Sequence, residues 1–225
     1  GLQKRLEKYY SLNLEFTKWR AIIDVDKSND IPSEYSIDLN AHSLSRYAKI
    51  VQDYEMVPIV EPEVLMDGAH DIVTCYEITS NVLKKVFEAL DKQNVYLGGI
   101  LLKPNMVISG KKCEQQASVE EVSTMTLKCL NENVPKEVPG IVFLSGGQSN
   151  ELATQHLNQM NKDSEGTQWN ISFSYGRALQ QPCLSSWMGN DSNIEKAQKE
   201  LLKRSKLNSE ATSAKYSIED ENSLL

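Results

Sequence analysis

Two kinds of apolar run alternate along the chain. Short runs rich in β-branched residues, closed by polar or glycine-rich turns, predict strands over Lys18–Val25, Met56–Glu63, Gly98–Val107, Gly140–Gln148 and Trp169–Arg177. Between them the apolar positions shift to helical spacing. Leu44, Tyr47, Ala48 and Val51 mark a helix over Asn40–Asp53, and Val73, Tyr76, Val82, Val86 and Leu90 mark a longer one over Asp71–Lys92. Ser118 with Glu121 three residues on is a capping box, so a helix opens there and continues through Leu130. Helices over Ser149–Asn161 and Asn193–Leu207 follow the last two strands, and Leu2–Tyr10 is an amphipathic piece ahead of the first strand. Beyond Lys215 the acidic stretch 216–225 reads as a mobile tail.

Five strands, each followed by a helix, demand a parallel sheet with helices on its outside. An open doubly wound sheet is expected to carry a glycine-rich fingerprint after its first strand, and Asp26-Lys-Ser-Asn-Asp30 holds none. The expected fold is therefore a (β/α)8 TIM barrel, with residues 1–215 forming part of it. Barrels often build a phosphate site from the loops after strands seven and eight. Leu144-Ser-Gly-Gly147 and Tyr175-Gly-Arg177 suit such a site, which makes this chain the source of roughly strands 4 to 8. Three βα units are then expected ahead of Gly1, where the sequence opens without Met.

Composition narrows the class without changing the fold. With 225 residues, 40% of them apolar and 24% charged, the chain can form one sizeable α/β domain. A net charge of −7 argues against general affinity for nucleic acid or an anionic membrane. Cys75, Cys113, Cys129 and Cys183 form no C-x-x-C pair, and His42, His70 and His156 lie far apart and read as structural or exposed; no zinc-like spacing exists. No apolar run approaches the length of a membrane helix, so a soluble protein in a reducing compartment is expected.

The candidate chemistry lies in the strands. Lys103 stands in the middle of Gly98-Gly-Ile-Leu-Leu-Lys103-Pro-Asn-Met-Val107. A lysine on an apolar strand is either paired or used as an amine, unless its stem lies on apolar surface with the head in water. Lys18 and Arg20, two apart, share a strand face, as do Glu61 and Glu63. Lys18, Glu61, Lys103 and Ser145 recur at nearly equal intervals, followed by Arg177, as repeated βα units would place them. Taken singly, Ser145-Gly-Gly147 is a turn or a phosphate cradle, and Arg177 an ion-pair partner or a phosphate ligand.

From about Leu14 to about Lys215 the motifs fall in one order: Lys18-Trp-Arg20, Arg46-Tyr-Ala48, Val57-Pro-Ile-Val-Glu-Pro-Glu63, Leu101-Leu-Lys-Pro-Asn-Met-Val107, Val142-Phe-Leu-Ser-Gly-Gly-Gln-Ser149 and Phe173-Ser-Tyr-Gly-Arg-Ala-Leu179. With these the chain resembles the class I fructose-bisphosphate aldolases. The resemblance implies a cytoplasmic lyase of glycolysis, a homotetramer in full-length form, working through a lysine Schiff base without cofactor or metal on a phosphorylated sugar. It makes Lys103 the imine-forming lysine, Glu61 the acid/base carboxylate with Glu63 beside it, and Lys18 a lysine near the bond being broken. Arg20 falls toward the second phosphate, and Ser145, Gly146, Gly147, Ser174, Gly176 and Arg177 form the pocket for the phosphate on the ketone end. The family also draws an aspartate and a lysine from strands that would precede Gly1, and its tail ends in a tyrosine where this chain ends Asn222-Ser-Leu-Leu225. A binding scaffold for cytoskeletal proteins is the alternative role the resemblance allows.

Overall fold

Strands β1 (Phe16–Ile23), β2 (Val57–Val64), β3 (Leu101–Leu102), β4 (Gly140–Phe143) and β5 (Asn170–Phe173) lie side by side in chain order, every neighbouring pair parallel. The computed structural model describes residues 1–164 and 166–223. Strand order that never reverses is the winding of a barrel, whereas a doubly wound sheet has a switch point. The chain is thus an α/β fold that forms part of a (β/α)8 barrel.

Helices α1 (Leu2–Ser11), α2 (Glu34–Gln52), α3 (Ile72–Lys92), α4 (Val119–Asn133), α5 (Asn150–Asp163), α6 (Arg177–Trp187), α7 (Ile194–Thr212) and α8 (Asp220–Ser223) complete the order. Ser33, Asp71, Ser118 and Ser149 each accept a backbone N–H three residues on, satisfying an orphan donor of the first turn; Ser118 and Glu121 close the expected capping box. One face of each strand packs on the helices. Ala21, Ile23, Val60, Val64, Leu102 and Ile141 belong to a single buried core with Leu44, Val86, Leu127 and Leu157 from the helix stripes. The opposite face carries the polar strand residues.

Several elements depart from the expected boundaries, among them the fourth strand, which ends at Phe143 rather than Gln148. Helix α2 starts at Glu34 rather than Asn40, because the Ser33 hydroxyl accepts the Ser36 N–H at 3.2 Å and sets the start of the helix. The third strand shrinks from ten residues to two: Leu97–Gly99 is a 3-10 turn, and after Lys103 the imide nitrogen of Pro104 has no hydrogen to donate. The fifth strand stops at Phe173, so Arg177 is not on a strand but begins α6, which the apolar pattern did not predict.

Of the stretch 216–225, Leu224 and Leu225 lie outside the described residues. Within it, the buried Tyr216 donates its backbone N–H to Asn158 Oδ1 at 3.0 Å, and Glu221 accepts from Arg204 Nη1 at 2.5 Å. Among the described residues no helix is long and apolar enough to cross a membrane.

Candidate active site

Parallel register brings three of the expected residues onto one face. Lys18 is opposite Ile59, two residues before Glu61, and the Lys103 N–H donates to the Val60 carbonyl at 2.8 Å, placing Lys103 beside Glu61. Side chains two apart on a strand point the same way, so Lys18, Glu61 and Lys103 converge. Lys103 Nζ lies 3.2 Å from Glu61 Oε1, and Lys18 Nζ lies 3.0 Å from Glu61 Oε2. Glu61 is 3% exposed and the Lys103 side chain 10%, while Lys18 is 43% exposed. Lys18 pairs with Oε2 as an ion, and among the described residues that oxygen has no hydrogen-bond partner. Glu61 therefore keeps an open acceptor site facing the two amines. One residue pair further along, Arg20 Nε donates to the buried Glu63 Oε2.

The backbone beyond Lys103 is held by a residue to which the sequence reading assigned no role. Asn105 is buried; its Oδ1 accepts the Val64 N–H at 3.0 Å, and its Nδ2 donates to Thr79 Oγ1 at 3.1 Å and to the Met106 carbonyl at 3.0 Å. The side chain thus takes over the pairing that the strand abandons at Pro104. An amide inside an apolar run was the available signal.

Ser145, Gly146 and Gly147 form a turn next to this strand end, fixed by the Leu144 N–H donating to the Pro104 carbonyl at 3.3 Å. Gly146 and Gly147 have φ of +59° and +81°, the left-handed region that favours glycine. Gln148 braces the turn, donating Nε2 to the Ser145 carbonyl at 2.9 Å. Ser174 lies just past β5, its N–H donated to the Phe143 carbonyl at 2.8 Å. Gly176 is the N-cap of α6 and supplies no side-chain cap to the first-turn N–H groups. Arg177 is exposed and makes no hydrogen bond or ion pair among the described residues. The turn, the helix start and the guanidinium share one region: a Cβ on Gly147 would stand 3.1 Å from Arg177 Nη2. Bare backbone, a helix N-terminus and an unpaired guanidinium together suit an anion.

His156 of α5 is coupled to the turn. Its Nδ1 is 2.6 Å from Gln148 Oε1, and since Gln148 donates its amide to Ser145, Oε1 accepts and Nδ1 carries the hydrogen. Nε2 is buried without a partner among the described residues, and burial lowers the imidazole pKa to about 4. Between about pH 6.5 and 4 the unfolded chain therefore binds the proton more readily than the folded one. The stability due to the neutral ring is complete above pH 6.5 and declines as pH falls, by about 3 kcal/mol in all. We expect the urea midpoint to fall more steeply between pH 7 and 4.5 in the wild type than in His156→Gln; parallel curves would remove His156 as the cause.

Among the described residues no group of His, Cys, Asp or Glu is arranged to hold a metal ion. Trp19 and Tyr175 are packing groups: the Trp19 ring lies 5.9 Å from that of Tyr47, tilted by 33°, and the buried Tyr175 donates its hydroxyl to the Ala153 carbonyl at 2.8 Å.

Comparison with known proteins completes the picture. A family model described as fructose-bisphosphate aldolase class-I matches residues 1–224. A "Probable fructose-bisphosphate aldolase class 1" of Xanthomonas axonopodis pv. citri (strain 306) is 51% identical over 217 residues, 96% of this chain and 64% of that protein. "Fructose-bisphosphate aldolase 4, cytosolic" of Arabidopsis thaliana is 47% identical over 96% of this chain and 54% of its own length. In structure, the fructose-bisphosphate aldolase of Plasmodium falciparum, solved with TRAP and a small-molecule inhibitor, matches with a TM-score of 0.93 at 44% identity, covering 96% of this chain and 62% of that one. The chain spans just under two thirds of the length of the first of these relatives.

Proposed function

The chain belongs to the class I fructose-bisphosphate aldolase family, and on that premise we propose that it carries the Schiff-base machinery for reversible cleavage of fructose 1,6-bisphosphate to dihydroxyacetone phosphate and glyceraldehyde 3-phosphate. The observation that carries the reading is the buried carboxylate of Glu61 held between Lys103 and Lys18 at 3.2 and 3.0 Å. One carboxylate within proton-transfer distance of one buried amine is what imine chemistry needs.

The Lys103 amine, after giving a proton to Glu61, attacks the C2 carbonyl of the open-chain sugar. Glu61 returns the proton to the departing hydroxyl, water leaves, and an iminium joins Lys103 to C2. The C4 hydroxyl then gives its proton to the Glu61 carboxylate, free again once water has left, and the C3–C4 bond breaks; its electron pair flows into the iminium to give an enamine, the aldehyde departs, and the proton on Glu61 is the one available for return to C3. Protonation at C3 and hydrolysis then release dihydroxyacetone phosphate and restore the amine. Lys18 is placed to stabilise negative charge near the breaking bond, and Glu63 holds Arg20 for the distal phosphate. Ser145, Gly146, Gly147, Ser174, Gly176 and Arg177 receive the ketone-end phosphate through backbone N–H groups and the guanidinium.

In this reading residues 1–215 act as the barrel portion with 216–225 as a C-terminal extension, within a cytoplasmic homotetramer. The cytosolic relative of Arabidopsis thaliana named above supports the location. Incubation of the intact natural protein with fructose 1,6-bisphosphate should yield both triose phosphates in equal amounts. Failure to produce either, by a protein that binds the sugar, would overturn the proposal.

A further inference from the structure

Lys111 belongs to none of the strand motifs, yet the fold delivers it to the anion site. It lies on the loop after β3, which is laced to the loop after β2 by three backbone hydrogen bonds. Gly110 N–H donates to the His70 carbonyl at 2.8 Å, Lys111 N–H to that of Met66 at 2.6 Å and Lys112 N–H to that of Gly68 at 3.0 Å. The loops approach so closely at Gly110 that a Cβ there would collide with the Gly68 carbonyl. So anchored, the Lys111 side chain reaches the glycine turn after β4: a Cβ on Gly147 would stand 2.7 Å from Lys111 Nζ and 3.3 Å from its Cε. The same Cβ would meet Arg177 Nη2 at 3.1 Å.

Two cations therefore crowd one glycine from different elements. They repel one another there unless an anion lies between or beside them. Arg177 has no carboxylate partner among the described residues, and Lys111 has Asp67 at 3.0 Å, an exposed pair that binds its ammonium weakly. We propose that Lys111 is a second cationic ligand of the ketone-end phosphate, exchanging Asp67 for the substrate and tying the loops after β2 and β3 to the bound sugar. The proposal rests on the reading of Ser145–Gly147 and Arg177 as the phosphate pocket. It gives the site a preference for a doubly charged phosphate over an uncharged ketone that Arg177 alone would supply less strongly.

The test compares dihydroxyacetone phosphate with unphosphorylated dihydroxyacetone in the intact natural protein, following binding of each and the rate at which borohydride traps each. Lys111→Met should weaken dihydroxyacetone phosphate roughly 10- to 100-fold, the contribution of one charge-assisted hydrogen bond. It should leave dihydroxyacetone and the maximal trapping rate unchanged, and Lys111→Arg should restore most of the loss. If the wild type favours the phosphorylated ketone, Arg177→Met loses that preference and Lys111→Met keeps it, the Lys111 proposal is overturned while the pocket stands. If the wild type does not distinguish the two ketones, the pocket assignment falls, and the proposal with it.

Discussion

Lys103→Met is expected to lower kcat for fructose 1,6-bisphosphate cleavage by about 10^4-fold or more, the scale on which removal of a covalent nucleophile acts. Methionine keeps the unbranched stem of a side chain that is 10% exposed, so the packing beneath the amine should survive. Glu61 retains Lys18 at 3.0 Å, and the variant should therefore lose less than the roughly 3–5 kcal/mol expected when a buried charge is left wholly unpaired. Steady-state kinetics together with a urea titration separate the two effects. A folded Lys103→Met protein with near wild-type turnover would show that the imine does not form on this residue.

Glu61→Gln carries the second large effect, on both rate and stability. Glu61 is 3% exposed and is the carboxylate between two amines, so the amide removes the charge that holds them and the proton shuttle that imine formation uses. The kcat should fall roughly 10^2- to 10^4-fold. Stability at pH 7 should fall by about 3 kcal/mol, the low end for a broken buried pair, because Lys18 is 43% exposed and can turn to water. Glu63→Gln is the internal comparison. Its partner Arg20 is 40% exposed, so its effect on stability should be smaller, about 1 kcal/mol. Equal losses in the two variants, in rate and stability alike, would mean that Glu61 has no special place in the site.

What the sequence made legible follows from what each pattern encodes. Hydrophobic period separated strands from helices, and the even recurrence of Lys18, Glu61 and Lys103 placed them on one face of a parallel sheet, where the register unites them. Backbone valence was less visible. Leu101-Leu-Lys103 reads as an extended run, but the missing Pro104 donor ends the ladder after two strand residues and Asn105 takes over by a side-chain route. Helix α6 was not visible in the apolar pattern, where Pro182 interrupts an eleven-residue helix whose start holds Arg177. Gln148, His156 and Lys111 were out of reach for another reason. Their roles come from contacts with residues distant in the fold or across a turn, and no period or motif in the chain announces such a contact. His156 shows the difference: the sequence left it structural or exposed, the fold buries it, and its link to Ser145 through Gln148 needs three-dimensional placement.

The central claim is that the Lys103 amine forms the covalent bond to the substrate ketone, and one experiment addresses it directly. Treat the intact natural protein with dihydroxyacetone phosphate and borohydride, digest it, and locate the reduced adduct by peptide mass. A single modified peptide spanning Lys103 is expected, absent from Lys103→Met. Modification at Lys18 or Lys111 in place of Lys103, or an unmodified protein, would contradict it.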